Sequence, residues 1–205
     1  MSDVDKYRNV MEEIKARVLV ISSFIKEVRT TGNDVTDAEF ISLQFRKILE
    51  LIALGSMVSN KEKYSEIRVR FERDWNAKNI IGDLSRINPE FYPRPVIKTE
   101  SADPAVDYHF EQIKSGYLSK TEFLKLYEKC GGLLHAENPF GGKKDFTGIR
   151  QNASDWVNKI QRLLDLHCVL AYGHERAWIV QMREGPEKKV AVYTAEGKFN
   201  VENAI

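Results

Sequence analysis

Apolar residues recur at steps of three and four near the start of the chain, at Val10, Ile14, Val18, Ile21, Ile25 and Val28. That spacing predicts an amphipathic helix over about 5–30, with Glu12, Lys15, Lys26 and Glu27 on its opposite face. Thr30-Thr-Gly-Asn-Asp34 interrupts the pattern. Thr36-Asp-Ala-Glu39 then reads as a capping box, a hydroxyl followed three residues later by a carboxylate. It opens a helix that is apolar around most of its circumference over 41–58, as a helix inside a bundle is. Its polar residues Ser42, Arg46 and Glu50 recur every four positions and share one stripe. Arg46 and Glu50 are spaced to pair along it or to aim together at a site. A third helix is predicted over about 62–87, with mixed charge and a weaker stripe through Tyr64, Ile67, Phe71, Trp75 and Leu84. Asn88-Pro89 ends it, because the residue before proline resists helical dihedrals.

Pro89, Pro93 and Pro95 make the next stretch, through Lys98, a stiff extended strap that crosses the bundle. A short helix is predicted over 106–114. Ser119-Lys-Thr-Glu122 is a second capping box and opens a helix with Phe123, Tyr127, Cys130 and Leu134 on one stripe. A last helix is predicted over 154–172, with Trp156, Val157, Ile160, Leu163, Leu164 and His167 on one face and Gly173 as its stop. Two strand-like runs, 178–182 and 190–194, flank the turn Glu184-Gly-Pro-Glu-Lys188. A lone hairpin is marginal in water, so this one must pack on the helices or on another chain. The expectation is a mainly α fold: a bundle of five to six helices at 1–174, a Pro-rich crossover, and a small C-terminal β-hairpin at 175–205, in a single domain.

Composition narrows the function classes. Among 205 residues, 31 basic side chains face 30 acidic ones, so the totals carry no basic surface for nucleic acid. The polar start has no signal-peptide pattern. Apolar runs such as 51–54 fall far short of the roughly 20 residues that span a bilayer. A cytoplasmic location and no membrane partner are expected. Cys130 and Cys168 form no Cys-x-x-Cys pair and read as reduced, buried thiols. His167, on an apolar face, reads as a satisfied core histidine. Gly141-Gly142-Lys143-Lys144 lacks the spacing of a nucleotide loop, and there is no His-Glu-x-x-His. No cofactor and no metal are expected.

The candidate chemistry lies in Tyr127-Glu-Lys-Cys-Gly-Gly-Leu-Leu-His135-Ala-Glu-Asn-Pro-Phe-Gly-Gly142. A glycine inside a helix costs roughly 1 kcal/mol relative to alanine. Either the helix ends near Cys130 with Gly131 as its left-handed cap, or it runs on to His135 and the missing side chains admit a neighbouring helix. Leu124, Glu128, Gly131 and His135 share one face, which favours the second. Asn138-Pro139 predicts a turn, and Phe140 is expected to plug into the core. Lys143, Lys144 and Arg150 put three positive charges near His135. With Asn138 they suit an anionic ligand such as a phosphate backbone, or form a plain solvated loop.

The Tyr127…Leu133-Leu134-His135 ending of a late helix, after an apolar early helix, resembles the HEPN superfamily of helical bundles over about 37–172. The Phe91-Tyr-Pro-Arg-Pro95 strap and the loop after His135 also resemble bacterial proteins that carry no known activity. Many HEPN proteins are RNases of toxin–antitoxin and antiphage systems, whose motif is an arginine, four to six intervening residues and then a histidine; others are non-catalytic. Here Glu128, Lys129 and Cys130 occupy the arginine's place. The resemblance implies a non-catalytic interaction or binding module in bacterial stress or phage defence, a homodimer or bound to a protein partner. The alternative is a metal-independent RNase or nucleotide-directed enzyme. His135 would be its acid/base, and Arg46 beside Glu50, Lys129 or Lys143 would hold the phosphate.

Overall fold

A computed structural model describes residues 1–67, 73–100, 108–173 and 176–196. It overturns the mainly α expectation. Six α-helices lie with a five-stranded antiparallel sheet of order β2-β1-β3-β4-β5 among the described residues.

The N-terminal helices follow their apolar spacing. Helix α1 (Asp3–Ile25) starts at a reciprocal capping box between Ser2 and Asp5 and buries Tyr7, Met11, Ile14, Val18, Ile21 and Phe24. It ends short of the predicted residue 30, where Glu27 takes a positive φ of 56°. Helix α2 (Asp34–Ser59) is capped by Asn33, not Thr36: the Asn33 side chain accepts from the amides of Val35 and Thr36. An asparagine in extended geometry outcompetes the threonine three residues on, and the predicted box falls inside the helix. The buried positions of α2 point several ways, as a central helix requires.

The predicted third helix is two helices, α3 (Lys61–Ile67) and α4 (Ala77–Ile87). Asn76 caps α4 by accepting from the Asn79 amide at 3.1 Å. Phe71 lies outside the described residues, and Trp75 is 63% exposed. Helix α5 (Lys120–Leu133) starts at the predicted Ser119–Glu122 box. Helix α6 (Phe146–Leu164) starts at an Asp145 cap.

Three further departures in the fold concern strands. Phe91 and Tyr92 of the strap are buried as expected, but the strap continues into β1 (Arg94–Glu100). Where a helix over 106–114 was expected, Tyr108–Gln112 is β2; residues 106 and 107 lie outside the described set. The last helix stops at Leu164, and Leu166–Leu170 becomes β3. A short apolar run fits a buried strand as well as a buried helix turn, so periodicity could not separate them. Strands β4 (Arg176–Glu184) and β5 (Lys189–Glu196) form the predicted hairpin. It is two strands of a five-stranded sheet: β3 pairs with both β1 and β4.

Helices and sheet share one core. Val169, Val180, Met182 and Val190 from one sheet face join the buried residues of α1, α2, α4, α5 and α6. Alternate residues Cys168, Ile179 and Tyr193 lie on the other face, half-buried or exposed. Helix α1 covers the hairpin. Tyr7 meets Trp178 edge-on at 5.3 Å, and the Val190 amide donates to Glu12 at 2.7 Å. His167 is fully buried on β3, as a satisfied core residue.

Candidate functional site

The polar stripe of α2 is drawn into the α2–α5 interface. Ser42 is buried and turns back to its own helix, donating to the Ala38 carbonyl at 2.7 Å. Arg46 and Glu50 pair at 3.2 Å and are both largely covered, with side chains 23% and 16% exposed. Across the interface Arg46 Nη2 donates to the Tyr127 hydroxyl at 2.7 Å, and that hydroxyl donates to Glu50 Oε1 at 3.4 Å. The guanidinium carbon lies 4.1 Å from the Tyr127 ring centroid, within cation–π range. Burial raises the Tyr127 phenol pKa, with the Arg46 charge opposing.

Gly131 has its explanation here. A Cβ on it would lie 2.6 Å from Arg46 Nη1, so the guanidinium occupies the notch that the glycine leaves. The helix passes through both glycines, as the close-approach reading holds, but what approaches is a side chain and not a helix. Gly132 meets nothing within 4 Å. Beside the notch, burial pushes the Cys130 thiol up to about 12, which leaves it protonated and a poor nucleophile.

The helix ends two residues before His135, so the histidine does not sit on its last turn. Leu134 is the C-cap, and its amide donates to the Gly131 carbonyl at 3.3 Å. Lys144 takes over the helix end: its ammonium donates to the Leu133 carbonyl at 3.3 Å and to the His135 carbonyl. The Lys144 amide donates to Glu137 at 3.1 Å, which ties the loop across its neck. The His135 side chain is exposed and has no hydrogen-bond partner among the described residues.

At the loop's tip, residues 138–141 form a tight turn. The Gly141 amide donates to the Asn138 carbonyl at 2.8 Å, and the Phe140 amide to the Asn138 side chain at 3.0 Å. Pro139 holds the position where its fixed φ is already correct. Phe140 is 97% exposed, against the expectation that it enters the core. The turn points its third residue outward, into solvent.

The other predicted residues separate. Lys129 pairs with Asp145 at 3.4 Å. That carboxylate also caps α6, and the Gly148 amide first and Lys129 next lower its pKa. Arg150 reaches back to Asp34 and, at 3.7 Å, to Glu27. Lys143 is exposed and forms no ion pair among the described residues. Arg46 and Glu50 therefore meet each other and Tyr127, Lys144 meets the backbone at His135, and Arg150 joins the α1–α2 connection. The partner that sequence reasoning missed is Tyr127, which sits one helical turn before Gly131.

No protein-family model, curated protein or solved structure matches this chain. Its chemistry therefore rests on geometry. Among the described residues, no group of three or more His, Cys, Asp or Glu is placed to hold a metal ion. No described helix is long and apolar enough to cross a membrane. A cleft of about 560 Å³ lies between α1, α6 and the β4–β5 hairpin, lined by residues such as Leu19, Gln161 and Arg183, and includes none of the loop.

Proposed function

We propose that this chain is a non-catalytic interaction module that offers the Asn138-Pro139-Phe140-Gly141 turn to a protein partner. The exposure of Phe140 at 97%, on a turn held by the Asn138 side chain and by Pro139, carries this reading. Seating a phenyl ring in an apolar pocket is worth about 2–3 kcal/mol. A turn already formed loses little conformational entropy when it docks. Lys143, three residues on, suits a pocket with an acidic rim.

Three of the cations argue against the RNase alternative, while Lys143 forms no ion pair among the described residues. Arg46 faces Glu50, Lys129 faces Asp145, and Arg150 faces Asp34 and Glu27. A phosphate would have to displace a carboxylate at each. With the HEPN likeness of the α2 and α5 pattern, the setting we propose is a bacterial stress or phage-defence system.

The test compares wild type, Phe140→Ala and His135→Ala in two assays. Proteins that co-purify with wild type and His135→Ala but are lost from Phe140→Ala at unchanged melting temperature support the module. RNA cleavage by wild type that His135→Ala abolishes overturns it, as does an identical set of bound proteins for Phe140→Ala.

A further inference from the structure

The cleft between α1, α6 and the β4–β5 hairpin reaches the core, and its walls are tied together. Its volume of about 560 Å³ falls within the roughly 300–1,000 Å³ of small-molecule sites. Ile14, Val18, Ile160, Leu164 and Met182 make an apolar floor, and Leu19 lines the cleft while 65% exposed. Two hydrogen bonds pin the hairpin against α1. Lys15 Nζ donates to the Lys188 carbonyl at 2.8 Å, and the Val190 amide donates to Glu12 at 2.7 Å. Lys188 takes a left-handed φ of 50° there, which residues other than glycine seldom adopt.

The charges that line the cleft do not cancel. Four cations, Lys15, Arg183, Lys188 and Lys189, share it with three carboxylates, Glu12, Asp165 and Glu187, which leaves one positive charge over. Glu12 pairs with Lys15 at 2.5 Å, and Glu187 pairs with Lys189. Arg183 approaches Asp165 only to 3.9 Å, beyond hydrogen-bond reach. The Lys188 ammonium is exposed and has no ion pair or hydrogen bond among the described residues.

We propose that this cleft binds a small amphipathic carboxylate, its apolar body over the floor beside Leu19 and its carboxylate on Arg183 and Lys188. A guanidinium offers five donors in a fork, so Arg183 can serve a ligand carboxylate while it stays near Asp165. Lys188 supplies the positive charge that no carboxylate of the cleft offsets. An inorganic anion would leave the apolar floor in water, and a cation would meet Lys188 and Arg183 as like charges. The cleft is separate from the Phe140 turn, so either reading can fail alone.

Isothermal titration calorimetry of the full chain with alkyl ligands, below their micelle concentrations, tests the proposal, with thermal melts as a check on folding. Decanoate is expected to bind, and about tenfold more tightly than octanoate, because each buried methylene is worth about a fourfold gain. Decylammonium, with the same tail and the opposite charge, is expected to bind about tenfold more weakly than decanoate. Lys188→Glu, on an exposed side chain, is expected to weaken decanoate about tenfold at an unchanged melting temperature. Leu19→Gln is expected to weaken it about fourfold. Phe140→Ala leaves binding unchanged. Absence of decanoate binding, equal affinities for decanoate and decylammonium, or a folded Lys188→Glu that binds decanoate as wild type does overturns the proposal.

Discussion

Mild acid is expected to weaken this fold through one buried side chain. His167 is fully buried, with Nδ1 2.7 Å from the Leu164 carbonyl and Nε2 2.8 Å from the Tyr7 hydroxyl. A carbonyl only accepts, so Nδ1 carries the ring proton and Nε2 accepts from Tyr7. The neutral ring has both nitrogens satisfied, and a second ring proton would have to displace the tyrosine's. Burial pushes the imidazole pKa down from 6.5 to about 4, with the Leu164 carbonyl opposing. The unfolded chain therefore takes up its proton near 6.5, and the folded chain only near 4. Between those values the unfolded state holds about one more proton, so the free energy of unfolding falls as pH falls. The contribution is complete above about 6.5 and gone below about 4. At about 1.4 kcal/mol per pH unit, the interval amounts to about 3 kcal/mol. Urea unfolding of wild type and His167→Leu between pH 7.5 and 4 measures it. Carboxylates such as Glu122, whose Lys159 partner lowers its pKa, also lose stabilisation in acid, but they do so equally in both proteins. The difference between the two curves isolates the histidine and is expected to shrink by about 3 kcal/mol toward pH 4. A difference that stays constant across that range refutes the assignment.

Three further substitutions probe the site and the core. Gly132→Ala meets no atom within 4 Å in a helix and is expected to stabilise by about 0.5–1 kcal/mol. Gly131→Ala is expected to gain nothing, because its methyl displaces Arg46 from the notch; equal gains in thermal melts would show that the guanidinium does not sit there. Asn88 is 2% exposed, and its amide nitrogen donates to Asn60 at 2.8 Å and to the Leu170 carbonyl at 3.1 Å. Asn88→Ala is expected to cost about 2–3 kcal/mol in urea titrations, and a loss near zero would refute that network's role.

Helices α1, α2 and α5 were legible in the sequence because each carries a local signature. The Tyr7, Met11, Ile14, Val18 stripe, the Ser119–Glu122 box and the apolar girth of α2 are local patterns that tertiary contacts left in place. Three of the five strands were not legible. Leu166-His-Cys-Val-Leu170 continues the apolar face of α6, and only β1 and β4 on either side make it a strand. Tyr108–Gln112 is exposed on both faces and so lacks the alternation that marks a half-buried strand. The β4–β5 hairpin was legible because a turn-rich segment separates its two runs.

The candidate site divides along the same line. Arg46 and Glu50 share a helix face, so their spacing alone predicts that they meet. Tyr127 lies 81 residues from Arg46 in sequence, and no local pattern joins them. A signal was nonetheless present. Tyr127 and Gly131 stand one turn apart on α5, and a glycine at that spacing from a tyrosine leaves a recess with an aromatic wall, which suits a planar cation. The two glycines that drew attention to His135 therefore divide their roles, and Gly131 serves Arg46. The histidine lies past the helix end, where Lys144 holds its carbonyl and its ring faces solvent. At the tip of that loop Phe140 is 97% exposed. That exposed ring on a preformed turn is the observation on which the proposed docking of a protein partner stands.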